Sequence, residues 1–403
     1  MHRKMDLRSG WPVWFAYRAP TVPTSSLTSD VKADVAIVGM GISGAMIAEM
    51  LTARGMSVVC LDRRGPLKGS TLATTALVQF EIDEALSTLS RMIGKTPAQQ
   101  AWRRSRLGVL NLQARISQLA INCSATSKPS LYLAGRTLGP SQLKREAEAR
   151  QLAGISANYL SRNALSEQFG INRKGAILSY GNLAVDPRKL TAGLLLKAAG
   201  RKARFYVPVE AISVEDTQQE VVVATKDGPT VTAKHLVLAT GYELLPPVPA
   251  KKHVIQSTWA IATRPQKSVV WPTEAFIWEA SDPYLYMRTT ADGRVICGGE
   301  DEAITDEDSR DGLLGRKSRR LSKKLKNLLP SLDTEPEFAW TAAFGSTSTG
   351  LPYIGALPQH PRILAVMGYG GNGITYSQIA SEIISATLAG LEDADKDLFS
   401  FGR

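Results

Sequence analysis

Cysteine and histidine are scarce in this chain. The three cysteines, Cys60, Cys123 and Cys297, are odd in number and far apart, which excludes the disulfide framework of a small secreted protein and points to a reducing compartment. No Cys-x-x-Cys occurs, and the four histidines, His2, His235, His253 and His360, are scattered. Zinc-ligand spacing is therefore missing, and neither a structural nor a catalytic metal is expected. No segment approaches the roughly 20 apolar residues of a spanning helix. The first thirty residues hold Arg, Lys, Pro and Trp without the continuous apolar stretch of a signal peptide. A soluble cytoplasmic protein is the expectation. There is no internal repeat, no low-complexity tract and no G-x-S-x-G nucleophile elbow, so a serine-hydrolase reading has no footing.

What is present is a chain of 403 residues, 44% hydrophobic, long enough to bury one large core or two ordinary ones; two domains are expected. Lys and Arg outnumber Asp and Glu by 48 to 37, and the resulting +11 favours an anionic partner: a cofactor pyrophosphate, an acidic metabolite, nucleic acid or a membrane surface. The densest basic run, residues 316–326, carries seven Lys or Arg with Leu321, Leu325 and Leu328 at helical spacing beneath them. That pattern predicts a helix with a solvated basic face, the alternative being a docking surface for anionic lipid, nucleic acid or a partner protein.

After an irregular, Pro- and Ser-rich lead-in to about residue 30, order begins with the β-branched run D-V-A-I-V at residues 34–38. A helical stretch over residues 42–54 and a second apolar run over residues 57–61 complete a β-α-β unit, which implies a parallel sheet. Between the first strand and the helix lies Gly39-Met40-Gly41-Ile42-Ser43-Gly44, a G-x-G-x-x-G turn, and Asp62 follows Gly44 by 18 residues at the end of the next strand. Glycines there let the backbone approach a pyrophosphate at a helix N-terminus, and the carboxylate suits ribose hydroxyls, so dinucleotide binding is expected. A second G-x-G-x-x-G, from Gly368 to Gly373, also stands between a strand (residues 363–367) and a helix (residues 375–388). Too little chain follows to build a second nucleotide fold. This turn is expected to aim a helix N-terminus at another anionic group, such as the N1–C2=O edge of a reduced flavin.

Elsewhere, residues 97–120 read as an Arg-rich helix, residues 131–134 as a strand, and Asp186-Pro187 as the start of a helix over residues 188–199. Residues 221–224 and 235–238 read as strands joined through the turn Asp227-Gly228-Pro229, and residues 251–339 as an antiparallel sheet with one wet face.

Five segments in this order carry a family resemblance: the first glycine turn with Asp62, the G-S-T-L-A-T-T-A run at residues 69–76, Pro208-Val209, L-A-T-G at residues 238–241, and G-L-P-Y-I-G at residues 350–355 with G-Y-G-G-N-G-I-T at residues 368–375. The chain resembles the FAD-dependent amine and amino-acid oxidases, which include D-amino-acid oxidase, glycine oxidase and sarcosine oxidase, from about residue 34 to about residue 390. The resemblance implies a glutathione-reductase-like α/β fold: a Rossmann-type FAD-binding domain (residues 1–92, 183–248 and 340–403) and a mainly antiparallel-sheet substrate domain (residues 93–182 and 249–339). It implies that Gly39, Gly41, Ile42, Ser43, Gly44, Asp62 and Arg63 form the nucleotide end of the FAD site. Ser70 and Thr71 would lie near the pyrophosphate, Thr75 and Ala76 near the isoalloxazine, the Val209 backbone against the adenine, and Thr240 and Gly241 beside the same site. Gly371, Asn372, Gly373, Ile374 and Thr375 would meet the flavin pyrimidine edge. The reaction implied is oxidation of a C–N bond of a small amine or amino-acid-like molecule by hydride transfer to flavin N5, with oxygen or an electron carrier as acceptor.

Two departures matter. Where amino-acid oxidases often carry an Arg for the substrate carboxylate, counting back from Gly350 places Phe344, which removes a bidentate clamp. No cysteine lies between residues 344 and 368, so the covalent flavin linkage of the sarcosine-oxidase branch is excluded and noncovalent FAD is expected. Tyr284, Tyr286 and Arg288 alternate along one strand and would present three polar tips together; the resemblance implies that this strand borders the flavin and substrate pocket, with core or rim packing as the alternative. Two rivals stay open. One is an NAD(P)-linked dehydrogenase, with Arg63 and Arg64 after Asp62 suited to a 2′-phosphate. The other is a flavin-binding subunit of a larger assembly, even one modifying RNA through the basic helix, although nucleic acid is not the expected partner.

Overall fold

The computed structural model describes residues 6–217, 219–249, 252–268 and 270–403; His2 lies outside the described residues. Two sheets organise them. In the first, five strands run parallel in the order His360–Met367, Thr230–Leu238, Val31–Val38, Val58–Leu61 and Arg204–Tyr206. Its strands bury both faces: Val35, Ile37, Val58 and Cys60 join one core, while Ala36, Val38, Val59 and Leu61 join another. Double burial is why they read as unbroken apolar runs. Tyr353–Leu357 pairs antiparallel at one edge, and Ala211–Asp216 with Val221–Thr225 forms an antiparallel ribbon on Thr230–Leu238.

On one face of this sheet the helix Ile42–Ala53 packs between Pro187–Gly200 and Gly373–Leu388. Asp186 caps the helix Pro187–Gly200 as its sequence predicts, its carboxylate accepting from the backbone N–H of Arg188 (2.9 Å) and Lys189 (3.0 Å). The helix Lys95–Gln118 crosses Gly373–Leu388 so closely that a Cβ on Gly108 would lie 2.9 Å from the Ile379 side chain.

The second sheet is larger and almost wholly antiparallel. Its strands follow the order Arg8–Gly10, Pro336–Ser346, Val254–Thr263, Val295–Glu302, Leu285–Thr289, Phe276–Glu279, Thr126–Leu133, Gly175–Ala184 and Leu77–Val78, with Ala157–Ser161 also on Gly175–Ala184. Phe276–Glu279 and Thr126–Leu133 run parallel. The α/β class, with a Rossmann-type sheet and an antiparallel one, is therefore as expected.

Two expectations need correction. From residue 6 onward the lead-in is docked, not loose: Arg8–Gly10 adds a strand to Pro336–Ser346, Ser25 bridges Tyr206, and the buried Trp14 donates its indole N–H to Thr74 O at 2.6 Å. The basic helix, observed as Leu314–Leu328, does bury Leu321, Leu325 and Leu328 against the second sheet. Its charged face, however, is not uniformly solvated. Lys317 is 1% exposed, over the Trp259 ring, and reaches Glu300 O (2.7 Å) and Glu302 Oε1 (2.5 Å). Arg320 and Lys324 converge on the Glu300 carboxylate. The strand's acids outbid water for three of the seven cations, a pairing that no helical periodicity encodes. Among the described residues no helix is long and apolar enough to cross a membrane.

Candidate active site

The strand Val31–Val38 ends in Gly39, whose φ of +110° and 2.3 Å spacing from its Cβ position to Ala239 O leave no room for a side chain. Gly44 makes the helix–strand approach possible in the same way, since its Cβ would lie 1.9 Å from Gly39 O. The helix Ile42–Ala53 then begins with no cap from its own N-cap residue and no acidic residue in its first turn, its first N–H, that of Ile42, being taken by Thr71 Oγ1 at 2.9 Å. Asp62 Oδ2 accepts from Met40 N, and Oδ1 from the N–H groups of Arg64 and Gly65, all at 2.8 Å. The turn and the carboxylate are thereby locked together.

The second glycine turn arrives beside the first. Ser43 Oγ lies 2.9 Å from Tyr369 Oη and 2.7 Å from Ser377 Oγ, which ties the two helix N-termini together. Gly373–Leu388 also lacks a side-chain cap and first-turn acids. Both helix ends open onto one cavity of about 700 Å³. Such ends, with free N–H groups and a positive dipole, are seats for anions.

Most of the residues singled out in the sequence meet on this cavity: Gly39, Gly41, Ile42, Ser43, Asp62, Arg63, Ser70, Thr71, Thr75, Val209, Thr240, Gly241, Gly371, Asn372, Gly373, Ile374, Tyr284 and Tyr286 all wall it. Gly44, Ala76, Thr375 and Arg288 do not, and each has a different task. Gly44 serves the helix packing. Thr375 is fully buried and donates to Gln79 O at 2.7 Å, fastening the helix to the segment after the T-T-A run.

Arg288 is the clearest correction. Burial pushes its guanidinium down to about 10, and it is spent on backbone: Nη1 donates to Ala76 O (2.6 Å) and Val185 O (3.0 Å), and Nε to Thr289 O (2.9 Å). It shares this work with Trp340, which donates to Ala73 O at 2.7 Å, and with Trp14 on Thr74 O. Three side chains thus hold the carbonyls of residues 73–76, where Ala76 takes a left-handed φ of +56°. Arg288 positions the loop; it is not a substrate ligand.

At the far end of the cavity Tyr284 and Tyr286 lie with ring centroids 5.4 Å apart, and Tyr132 stacks on Trp278 at 3.8 Å. The Tyr286 ring fills the space a Cβ on Gly298 would need, which explains the glycine. Burial raises the phenols of Tyr284 and Tyr286 above their ordinary value, so both are neutral donors. Phe344 is in the wall as the sequence placed it.

Sequence reasoning missed the acids. Asp83 accepts from Gly371 N at 2.7 Å and stands against the second glycine turn; desolvation by the cavity walls pushes it up to about 6. Asp301, at the end of Val295–Glu302, is raised to about 7 by desolvation, with the Asp83 charge adding to the shift. Glu243 joins Arg63 and Arg64 at the opposite, Asp62 end. No motif marks these three. Burial holds all three thiols above their ordinary value, Cys123 at about 11, consistent with inert core cysteines.

The model of the family described as FAD dependent oxidoreductase (DAO) matches residues 34–387. The chain belongs to this family. It is thus an FAD-dependent oxidoreductase, and the nicotinamide-linked alternative falls. Gamma-glutamylputrescine oxidoreductase of Escherichia coli (strain K12) is 24% identical over 390 residues, covering 93% of this chain and 87% of the relative. Glycine oxidase from Geobacillus kaustophilus has the same fold, with a TM-score of 0.75, 20% identity, and 93% of this chain and 99% of that one covered. L-proline dehydrogenase from P. horikoshii superposes with a TM-score of 0.76 at 16% identity, over 92% and 97% of the two chains.

Proposed function

We propose that this enzyme binds FAD noncovalently along the cavity and oxidises a C–N bond of a small amine. The observation that carries the reading is the meeting of two helix N-termini, neither with an acidic residue in its first turn, on one cavity that neutral tyrosines also wall. The residues fit the cofactor: a Cβ on Gly41 would face only Thr71 Oγ1 within 4 Å, so the pyrophosphate seat is open. Gly39, Gly41, Ile42, Ser43, Ser70 and Thr71 would hold the pyrophosphate, with Asp62 and Arg63 at the ribose. Val209, Thr240 and Gly241 would flank the nucleotide, and Thr75 and residues 371–374 the ring. We assign residues 1–92, 183–248 and 340–403 to the cofactor half and residues 93–182 and 249–339 to the covering half, the strands Gly175–Ala184 and Pro336–Ser346 running from one to the other.

Bound FAD supplies the hydride acceptor, N5 of the ring. What the chain itself contributes is positioning and exclusion of water, which hydride transfer from a neutral amine needs more than a strong base. Tyr284 and Tyr286 would orient the amine, and Asp301 would hold the proton an ammonium must lose. The relatives point the same way in their names, through gamma-glutamylputrescine, glycine and L-proline. Phe344 argues against a carboxylate clamp at that position.

The test is an absorption spectrum of the purified protein before and after heat denaturation and centrifugation. Flavin bands that move wholly to the supernatant are expected; bands that stay with the pellet would overturn noncovalent binding. Anaerobic bleaching of those bands by a secondary amine, and not by a 2-hydroxy acid, is expected for C–N oxidation.

A further inference from the structure

Six acidic residues, Glu81, Asp83, Glu84, Glu279, Asp282 and Asp301, are among those walling the cavity, and the charges of Asp83, Glu84 and Asp301 act on its tyrosines Tyr132 and Tyr284. Among the described residues, the only Lys or Arg residues in the cavity wall are Arg63 and Arg64, which stand at the Asp62 end with Glu243. Some of the acids are satisfied, since Arg173 answers Glu279 and Gly371 N donates to Asp83. Others are not. Glu81 is 2% exposed; Ser130 bonds Oε1, and Oε2 has no hydrogen-bond partner among the described residues. Thr258 and Tyr284 lie against the Asp301 carboxyl, yet its Oδ1 is buried and also without a partner there.

Two cations reach these groups with other partners as well. Lys317, which acts on Asp301, is held by Glu300 and Glu302; Arg150, whose charge lowers Glu81, bonds Glu146 through Nε and leaves Nη1 and Nη2 without a hydrogen-bond partner among the described residues. Buried carboxyls that lack a counter-ion are costly unless a ligand supplies one. Desolvation raises Asp83 to about 6 and Asp301 to about 7, with the Glu84 charge adding to the first and the Asp83 charge to the second, as expected where a counter-charge is missing.

Building on the C–N oxidation proposed above, we infer that the substrate is a diamine or polyamine without a carboxylate, its reacting nitrogen at Asp301 and a second ammonium at Asp83 and Glu81. The aromatic walls suit such a chain, because neutral Tyr and Trp rings attract cations and cover methylenes. An α-amino acid would bring its carboxylate to a wall of its own sign, with Phe344 where an Arg would have met it. Charge decides the preference: among the described residues only Glu279 of the six acids is in an ion pair, with Arg173.

The test uses the FAD-loaded enzyme and two probes, spermidine and N-methylglycine, with binding to the oxidised protein measured by calorimetric titration. Spermidine is expected to bind at least about tenfold more tightly than N-methylglycine. Asp301→Asn and Asp83→Asn should each weaken spermidine about tenfold or more, and Asp83→Asn should weaken spermidine by a larger factor than N-methylglycine, with both affinities referred to the flavin-loaded fraction. Absence of spermidine binding, a preference for N-methylglycine, or spermidine binding that neither variant weakens would overturn the inference. Anaerobic bleaching separates it from the broader reading: reduction of the flavin by N-methylglycine but not by spermidine removes the polyamine and keeps amine oxidation. Bleaching only by a 2-hydroxy acid removes both.

Discussion

Arg288 shows how far a single residue can be read from its neighbours. The pleat does set Tyr284, Tyr286 and Arg288 on one face, but the cavity ends at Tyr286, and the backbone of Ala76 and Val185 lies over the next position. A guanidinium is the side chain that can serve several carbonyls in so tight a space. Arg288→Met should therefore take the Arg288 donor from three buried carbonyls, those of Ala76, Val185 and Thr289, costing about 1–3 kcal/mol for each left unpaired. The expected readout is a lower melting temperature with partial loss of flavin. A raised KM for amine with stability and flavin content intact would instead restore Arg288 to the substrate pocket.

At the scale of elements, the helix Leu314–Leu328 combines a legible half with an illegible one. Leucine spacing places its apolar edge on the sheet, and the structure agrees. What periodicity cannot show is that Glu300, from the strand Val295–Glu302, takes Lys317, Arg320 and Lys324 together. Glu300→Ala would leave the nearly fully buried Lys317 with Glu302 alone, and a loss of about 3–5 kcal/mol is expected, as when one member of a buried pair is removed. Chemical denaturation would read it. A loss below about 1 kcal/mol would mean that the network behaves like an exposed pair.

For the molecule as a whole, a net charge of +11 says nothing about the sign of the field inside the cavity, because the cations lie mainly elsewhere. Asp83 and Asp301, raised to about 6 and about 7, hold protons in the folded protein that the unfolded chain releases near pH 4. Their contribution to stability is thus full below about pH 4 and is lost as pH rises through 6 and 7. The flavin-free protein should melt at a lower temperature at pH 8 than at pH 5, and the Asp83→Asn/Asp301→Asn double variant should show a smaller drop. An equal drop in both proteins would show that the two carboxyls are not the source.

The sequence by itself determined the local devices: a β-α-β unit with its glycine turn and Asp62, the Asp186 cap, a second glycine turn before a helix, and the order of segments that reveals the family. Apart from that order, which runs along most of the chain, each depends on residues within about thirty positions of one another, where backbone geometry and periodicity are enough. Only the tertiary structure decided which side chains share the cavity. Asp83 and Asp301 meet there from segments more than two hundred residues apart, Glu243 closes on Arg63 and Arg64, and Arg288 is drawn away under the loop. Such encounters follow from how the two sheets are laid against each other, and short-range patterns in the chain carry no record of that.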